Sequence, residues 1–184
     1  MFRMYRPFVF IICTALLVLS GCASSQVRLR YVPEKDLPVV QEQHTNAIGL
    51  VQFADKRSSK ILGVDKGKEL TPVSNVAAWV TRGVENELVR HGASVKYVLS
   101  TQQIKKLPVR VTGTIAELRI VPLSVGKYRG ELTLTIAVND GLPTTYKSTV
   151  EKQGVPYTNI IEPLLAELLQ EAINPAIPVI FAAK

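Results

Sequence analysis

Two cysteines, two histidines and one tryptophan are all that the 184 residues hold of those types. His44 and His91 are far apart, and no H-E-x-x-H string occurs, so the usual zinc-hydrolase arrangement is missing. There is no G-x-S-x-G string and thus no nucleophile elbow. Gly63-Val64-Asp65-Lys66-Gly67-Lys68-Glu69 only superficially suggests a phosphate loop. Its glycines are too close together, and Glu69 stands where a hydroxyl would meet Mg²⁺. Ser124-Val125-Gly126-Lys127 fits the short S-x-x-K string, but the S-D-N and K-T-G companions are absent, and the string reads as a turn. Glu85 and Glu87 are two apart on a helical pattern and point in different directions. No enzyme activity, metal or cofactor is expected.

Long apolar runs are also scarce, with one exception at the start. Arg3 and Arg6 precede the apolar stretch Phe8 to Leu19, which leads into Leu19-Ser20-Gly21-Cys22. A basic flank, a short apolar core and small residues before a cut mark a secretory signal. Phe8 to Ala23 is shorter than the roughly 20 residues a spanning helix needs. The Leu-Ser-Gly-Cys ending resembles the lipobox of bacterial lipoproteins. That resemblance implies cleavage before Cys22, a thioether from its sulfur to diacylglycerol, and acylation of the new amino group. Several acyl chains hold a protein to a bilayer durably. Ala23 differs from the Asp that commonly retains such proteins in the inner membrane, which points to the outer membrane with the domain facing the periplasm. Cys13 leaves with the signal and Cys22 is consumed by lipid, so no thiol remains for a disulfide.

Three segments are expected. Residues 1–21 are the signal, 22–46 the lipidated cysteine and a tether, and 47–184 one globular domain. The tether carries Pro33 and Pro38, yet Val27, Leu29 and Tyr31 alternate with Arg28 and Arg30, so an edge strand and a linker fit equally well. In the domain, Ile48 to Phe53 reads as a buried strand. A charged loop follows as far as Leu70. Thr71 and Pro72 suit a helix start, and Val73, Val76, Ala77, Val80, Val84 and Leu88 form one apolar stripe that ends at Gly92. Trp79 falls at its edge, as core rim or exposed contact.

Ser94 to Leu99 reads as a strand. Pro108 to Val121 is a longer one, whose apolar phase shifts between Ile115 and Leu118, as Gly113 or a bulge near Ala116 would allow. Tyr128 to Val138 alternates cleanly, Asn139-Asp140-Gly141 signals a tight turn, and Thr144 to Lys152 pairs back. Asn159 to Ile173 is a helix with a wide apolar face. The tail Ala176 to Phe181 reads as a final strand or a segment covered by another chain, a hint of self-association. The predicted class is α+β: a largely antiparallel sheet of four to five strands with two helices on one face.

The formal net charge is +7, but a secreted chain with scattered lysines does not suggest a nucleic-acid partner. The densest basic region supplies the candidate interaction residues: Asp55, Lys56, Arg57, Lys60, Lys66 and Lys68. Anionic lipid or an acidic partner would suit it.

The lipobox, the strand leading to Asp55-Lys56-Arg57, and the stretch Leu70-Thr71-Pro72 through Gly92-Ala93 together resemble the YajG-type lipoproteins of the bacterial outer membrane. The resemblance brings no catalytic residues. The anchor, beside the absence of any catalytic motif, points to a lipid-anchored, periplasm-facing interaction or assembly module with the membrane and an envelope protein as partners. The alternative is a carrier or sensor of an amphiphile, such as a lipid or peptidoglycan fragment, held between the sheet face and the helices.

Overall fold

The computed structural model describes residues 24–33, 47–154 and 159–183. The signal segment, Cys22 and the part of the expected tether that holds Pro38 and His44 lie outside the described residues.

The α+β layer is present, with a mixed sheet. Three long strands make its antiparallel part: β7 (Val109–Ser124), β8 (Lys127–Val138) and β9 (Thr144–Gln153). In β8, Leu132, Leu134 and Ile136 turn inward while the threonines between them face away from the core, the period-2 pattern of a half-buried strand. Asn139 and Asp140 both have positive φ, so the chain reverses in the tight turn their residue types favour. The register of β7 against β8 shifts between Ile115 and Glu117. Ala116 is therefore the extra residue, and Val109, Val111 and Ile115 share the buried face with Leu118 and Ile120 despite the change of phase.

Parallel pairing extends this meander on its other side. β2 (Ala47–Val51) runs parallel to both β7 and β6 (Ser94–Val98), and the short β3 (Ala54–Asp55) adds to β7. The sheet thus has six strands, in the order β6-β2-β7-β8-β9 with β3 beside β7. The β2–β6 pair follows from the long crossover through helix α1 (Val76–Arg90) that joins them, because parallel neighbours need a long connection.

Helix α1 (Val76–Arg90) begins four residues after Pro72. Asn75 is its cap: the side-chain oxygen accepts from the Ala78 N–H at 3.1 Å. Thr71 and Pro72 end a strand instead, and Val73 is exposed. The rest of the stripe is buried, as is Trp79. Gly92, at φ +86°, ends the helix. Helix α2 (Ile161–Ile173) lies on β8 and β9, with Pro163 in its first turn, where a missing N–H costs nothing. Leu164, Leu165, Leu168 and Leu169 are essentially unexposed, each contributing about 1.5–3 kcal/mol by burial. The Ser148 hydroxyl donates to the Leu168 carbonyl at 2.8 Å and ties β9 to this helix. At Gly83 the two helices meet so closely that a Cβ there would collide with Leu169. The apolar tail is helix α3 (Ala176–Ala182), which buries Ala176, Ile177 and Ile180 in its own domain's core.

The expected charged loop is partly a second sheet. β4 (Gly63–Asp65) and β5 (Lys68–Pro72) form a hairpin, reversed at Lys66 and Gly67, both of positive φ. β1 (Ser25–Val27) pairs parallel with β5, so the described start of the expected tether is an edge strand. Val27 is buried, Leu29 and Tyr31 pack against the core, and Arg28 and Arg30 face solvent. The small sheet, in the order β1-β5-β4, is fastened to the large one where the Ile120 N–H donates to the Leu62 carbonyl at 2.6 Å.

Candidate functional site

The six candidate residues fall into separate groups. Asp55, Arg57 and Lys60 line one cleft, Lys56 is exposed beside it, and Lys66 and Lys68 stand on the β4–β5 hairpin.

The cleft has a volume of about 550 Å³ and opens where β2 ends and α1 begins, with Gln52, Phe53 and Asn75 among its walls. Its position follows from the backbone: the chain leaves β2, forms β3 against β7, and turns away through Arg57. The Phe53 N–H donates to the Thr81 hydroxyl at 2.9 Å, and that hydroxyl donates to the Ala77 carbonyl at 2.7 Å, so the strand end is fixed to the helix. Asp55 and Arg57 form a two-point pair: Nε donates to Oδ1 at 2.9 Å and Nη2 to Oδ2 at 3.0 Å. The Arg57 backbone N–H also donates to Oδ1 at 3.2 Å, and Lys60 Nζ stands 3.4 Å from Oδ2. The hydrogen bonds from Arg57 pull the Asp55 carboxyl down to about 2, against a smaller opposing effect of burial. Arg57 is only 8% exposed, and its Nη1 has no hydrogen-bond partner among the described residues.

This arrangement holds charge: Asp55 stays ionised near neutral pH, and its engagement by Arg57 makes it a weak base. Among the described residues, no group of three or more His, Cys, Asp or Glu could hold a metal ion. His91 caps the end of α1, its backbone N–H donating to the Glu87 carbonyl, and its ring stands edge-on to Phe181, with centroids 6.2 Å apart. Ser124 to Lys127 is the β7–β8 turn, with Gly126 at φ +72°.

Sequence reading missed a buried carboxylate. Glu87 is fully enclosed; its Oε1 accepts from the Tyr31 hydroxyl at 2.5 Å and from Arg90 Nη1 at 2.8 Å, while Oε2 has no partner among the described residues. Burial first, then the bond to Glu87, pushes the Tyr31 phenol well above its ordinary value. The only available signal was that Glu87 lies three positions before Arg90 on the helix, a common surface spacing. Nothing local indicated that Tyr31, 56 residues upstream, would cover it. The acylation expected at Cys22 lies outside the described residues.

No family model matches the chain, and no curated protein matches it. Solved structures do. Protein XCC0632 from Xanthomonas campestris, described as family DUF330, has a TM-score of 0.52 at 11% identity, covering 85% of this chain and 93% of that one. PelC from Paraburkholderia phytofirmans, crystallised as a dodecamer, has a TM-score of 0.44 at 12% identity, over 73% of this chain and 88% of its own. Lipoprotein GNA1162 from Neisseria meningitidis has a TM-score of 0.39 at 10% identity, over 71% and 96%. The likeness to XCC0632 is one of fold.

Proposed function

We propose that the chain is a bacterial envelope lipoprotein, acylated at Cys22, whose domain works as a periplasm-facing interaction module at the outer membrane and not as an enzyme. The observation that carries this reading is the ending Leu19-Ser20-Gly21-Cys22 after a basic flank and an apolar stretch too short to span a bilayer. The YajG-type resemblance, carried by Asp55-Lys56-Arg57 and by Leu70 through Ala93, supports the same address. Against catalysis stand an ionised Asp55 already engaged by Arg57 and a Glu87 sealed from solvent. The amphiphile-carrier alternative needs open space between the sheet face and the helices. Leu164, Leu165, Leu168 and Leu169 fill that layer. The protein partner would meet the cleft of Asp55, Arg57 and Lys60, a concave charged surface.

The test is metabolic labelling with a fatty acid followed by fractionation of the envelope. The wild-type chain takes up label and sediments with the outer membrane, Cys22→Ser takes up none, and Ala23→Asp shifts the labelled chain to the inner membrane. Equal labelling of Cys22→Ser would overturn the anchor; an unmoved Ala23→Asp chain would overturn the outer-membrane assignment.

A further inference from the structure

Strand pairing fixes where the chain enters the fold. Ser25 is in register with Leu70, and Val27 with Pro72, in parallel. In the hairpin, Leu70 lies opposite Gly63 and Lys68 opposite Asp65. A chain coming into β1 therefore arrives from the end of the small sheet that holds the turn at Lys66 and Gly67. That turn is attached to one end of the large sheet, because the Tyr128 hydroxyl donates to Asp65 Oδ2 at 3.0 Å. Tyr128 is the second residue of β8, just after the β7–β8 turn. Two turns of the molecule are thus held side by side at the end from which β1 begins.

The surface they share is basic and apolar together. Lys66 and Lys68 are exposed. Val125 is 79% exposed, Val64 47% and Leu123 38%. Of the acidic groups there among the described residues, Asp65 is bonded to Tyr128, Glu151 is paired with Lys127 and Arg129, and Glu69 is exposed opposite Val64. Lysines beside exposed aliphatic side chains offer both contributions to an interfacial contact with an anionic bilayer, apolar burial and attraction to the headgroups.

The geometry points to this end, formed by Lys66 and Lys68 of one turn and Leu123 and Val125 of the other, as a surface that rests on an anionic phospholipid bilayer. The inference depends on the anchorage at Cys22 proposed above. Cys22 is three residues before Ser25, and even a fully extended chain covers only about 10 Å over that length. An acylated Cys22 leaves the domain no room to stand clear of the membrane, and it brings this end of the fold to the headgroups. The lysines would meet lipid phosphates, and Val125 and Leu123 would enter the interface. The β8–β9 turn, where Leu142 is 93% exposed, lies at the other end of β8, about 35 Å away.

The test uses the acylated full chain in vesicles of phosphatidylcholine and phosphatidylglycerol in equal parts, doped with a lipid carrying a nitroxide near its headgroup. A fluorophore is placed on Val125→Cys or on Leu142→Cys. The Val125 label is expected to be quenched several-fold more than the Leu142 label. Adding Lys66→Gln and Lys68→Gln should lower the Val125 quenching to the level found in pure phosphatidylcholine vesicles. Vesicle flotation is read in the same samples. If the chain floats and both labels are quenched alike, the membrane-contact surface is overturned and the anchor stands. If the acylated chain does not float, the anchor is overturned and this proposal goes with it.

Discussion

The two sheets of this molecule are built on different terms. The large sheet has strands of 16, 12 and 10 residues at its antiparallel side, and α2 covers that side with leucines. The small sheet has strands of three, three and five residues, and the side chains buried in it or at its edge are Val27 and Leu70, with Leu62 just before β4. The former is held mainly by apolar burial. The latter adds only a few side chains, Val27, Leu62 and Leu70, to the same core, and is otherwise fastened by the Leu62–Ile120 backbone bond, the Tyr128–Asp65 bond and, just after β1, the Tyr31–Glu87 bond. Regions with few buried contacts open at lower free energy than the global transition. The difference separates a rigid scaffold from the smaller part that adjoins the candidate cleft and carries the exposed lysines.

The contrast is sharpest for a cavity in the scaffold. Leu134 is fully buried on β8, and Leu134→Ala is expected to cost about 3 kcal/mol, read as a lower urea midpoint with one cooperative transition. If hydrogen exchange quickened only in the small sheet after this change, the division would be wrong.

An intermediate effect is expected where the sheets touch. A Cβ on Gly63 would run into the Ile120 carbonyl oxygen, a backbone atom with little freedom to move. Gly63→Ala should cost about 1–3 kcal/mol through this overpacking. Its signature is local, with faster amide exchange at Leu62, Leu70 and Val73 and unchanged exchange through β8. Uniform loss of protection would show that the two sheets open as one.

The smallest effect is a pH dependence at the cleft. Asp55 is held at about 2, below its ordinary 3.8, chiefly by hydrogen bonds from Arg57. A depressed carboxyl contributes stability that is complete above the ordinary value and is lost as pH falls toward about 2. Solvent reaches Asp55 and screens the pair, so the loss is modest. Urea midpoints of wild type and Asp55→Asn should differ most above pH 4 and converge as the pH approaches about 2. A constant difference across that range would mean that the Asp55 charge does not fasten the cleft.

What could be read in the sequence follows the same division. The alternation in β8, the Asn139-Asp140 turn and the phase change around Ala116 are local signals, and each has its counterpart in the fold. The small sheet brings Ser25 to Val27 beside Lys68 to Pro72, more than 40 residues apart, and strands this short show too little alternation to detect. Its turn uses Lys66 at positive φ, without the Asn or Asp that usually announces such a turn. Thr71-Pro72 suits a helix start by residue type, but Asn75 supplied the cap and left Pro72 to end a strand. The parallel placement of β6 beside β2, on the far side from β7, depends on the α1 crossover, which a tally of strands does not reveal. In the tail, Ala176, Ile177 and Ile180 carry a helical spacing that is too brief to outweigh two nearby prolines. At the cleft, Asp55-Lys56-Arg57 was visible as a charged string. That its arginine is buried and its lysine exposed depends on the packing of β3 against β7.

Strand β1 also determines how the molecule answers to force. It lies alongside β5 and is followed by Leu29 and Tyr31 pressed into the core, with the Tyr31 phenol bonded to the enclosed Glu87. With acyl chains on Cys22, a tug from the bilayer would run along the axis of β1 and load its backbone bonds to β5 together, in shear, instead of peeling them one at a time. Tension would then pass through Tyr31 into helix α1. Drawing the lipid out of the membrane would strain the fold's interior before any slack linker could yield.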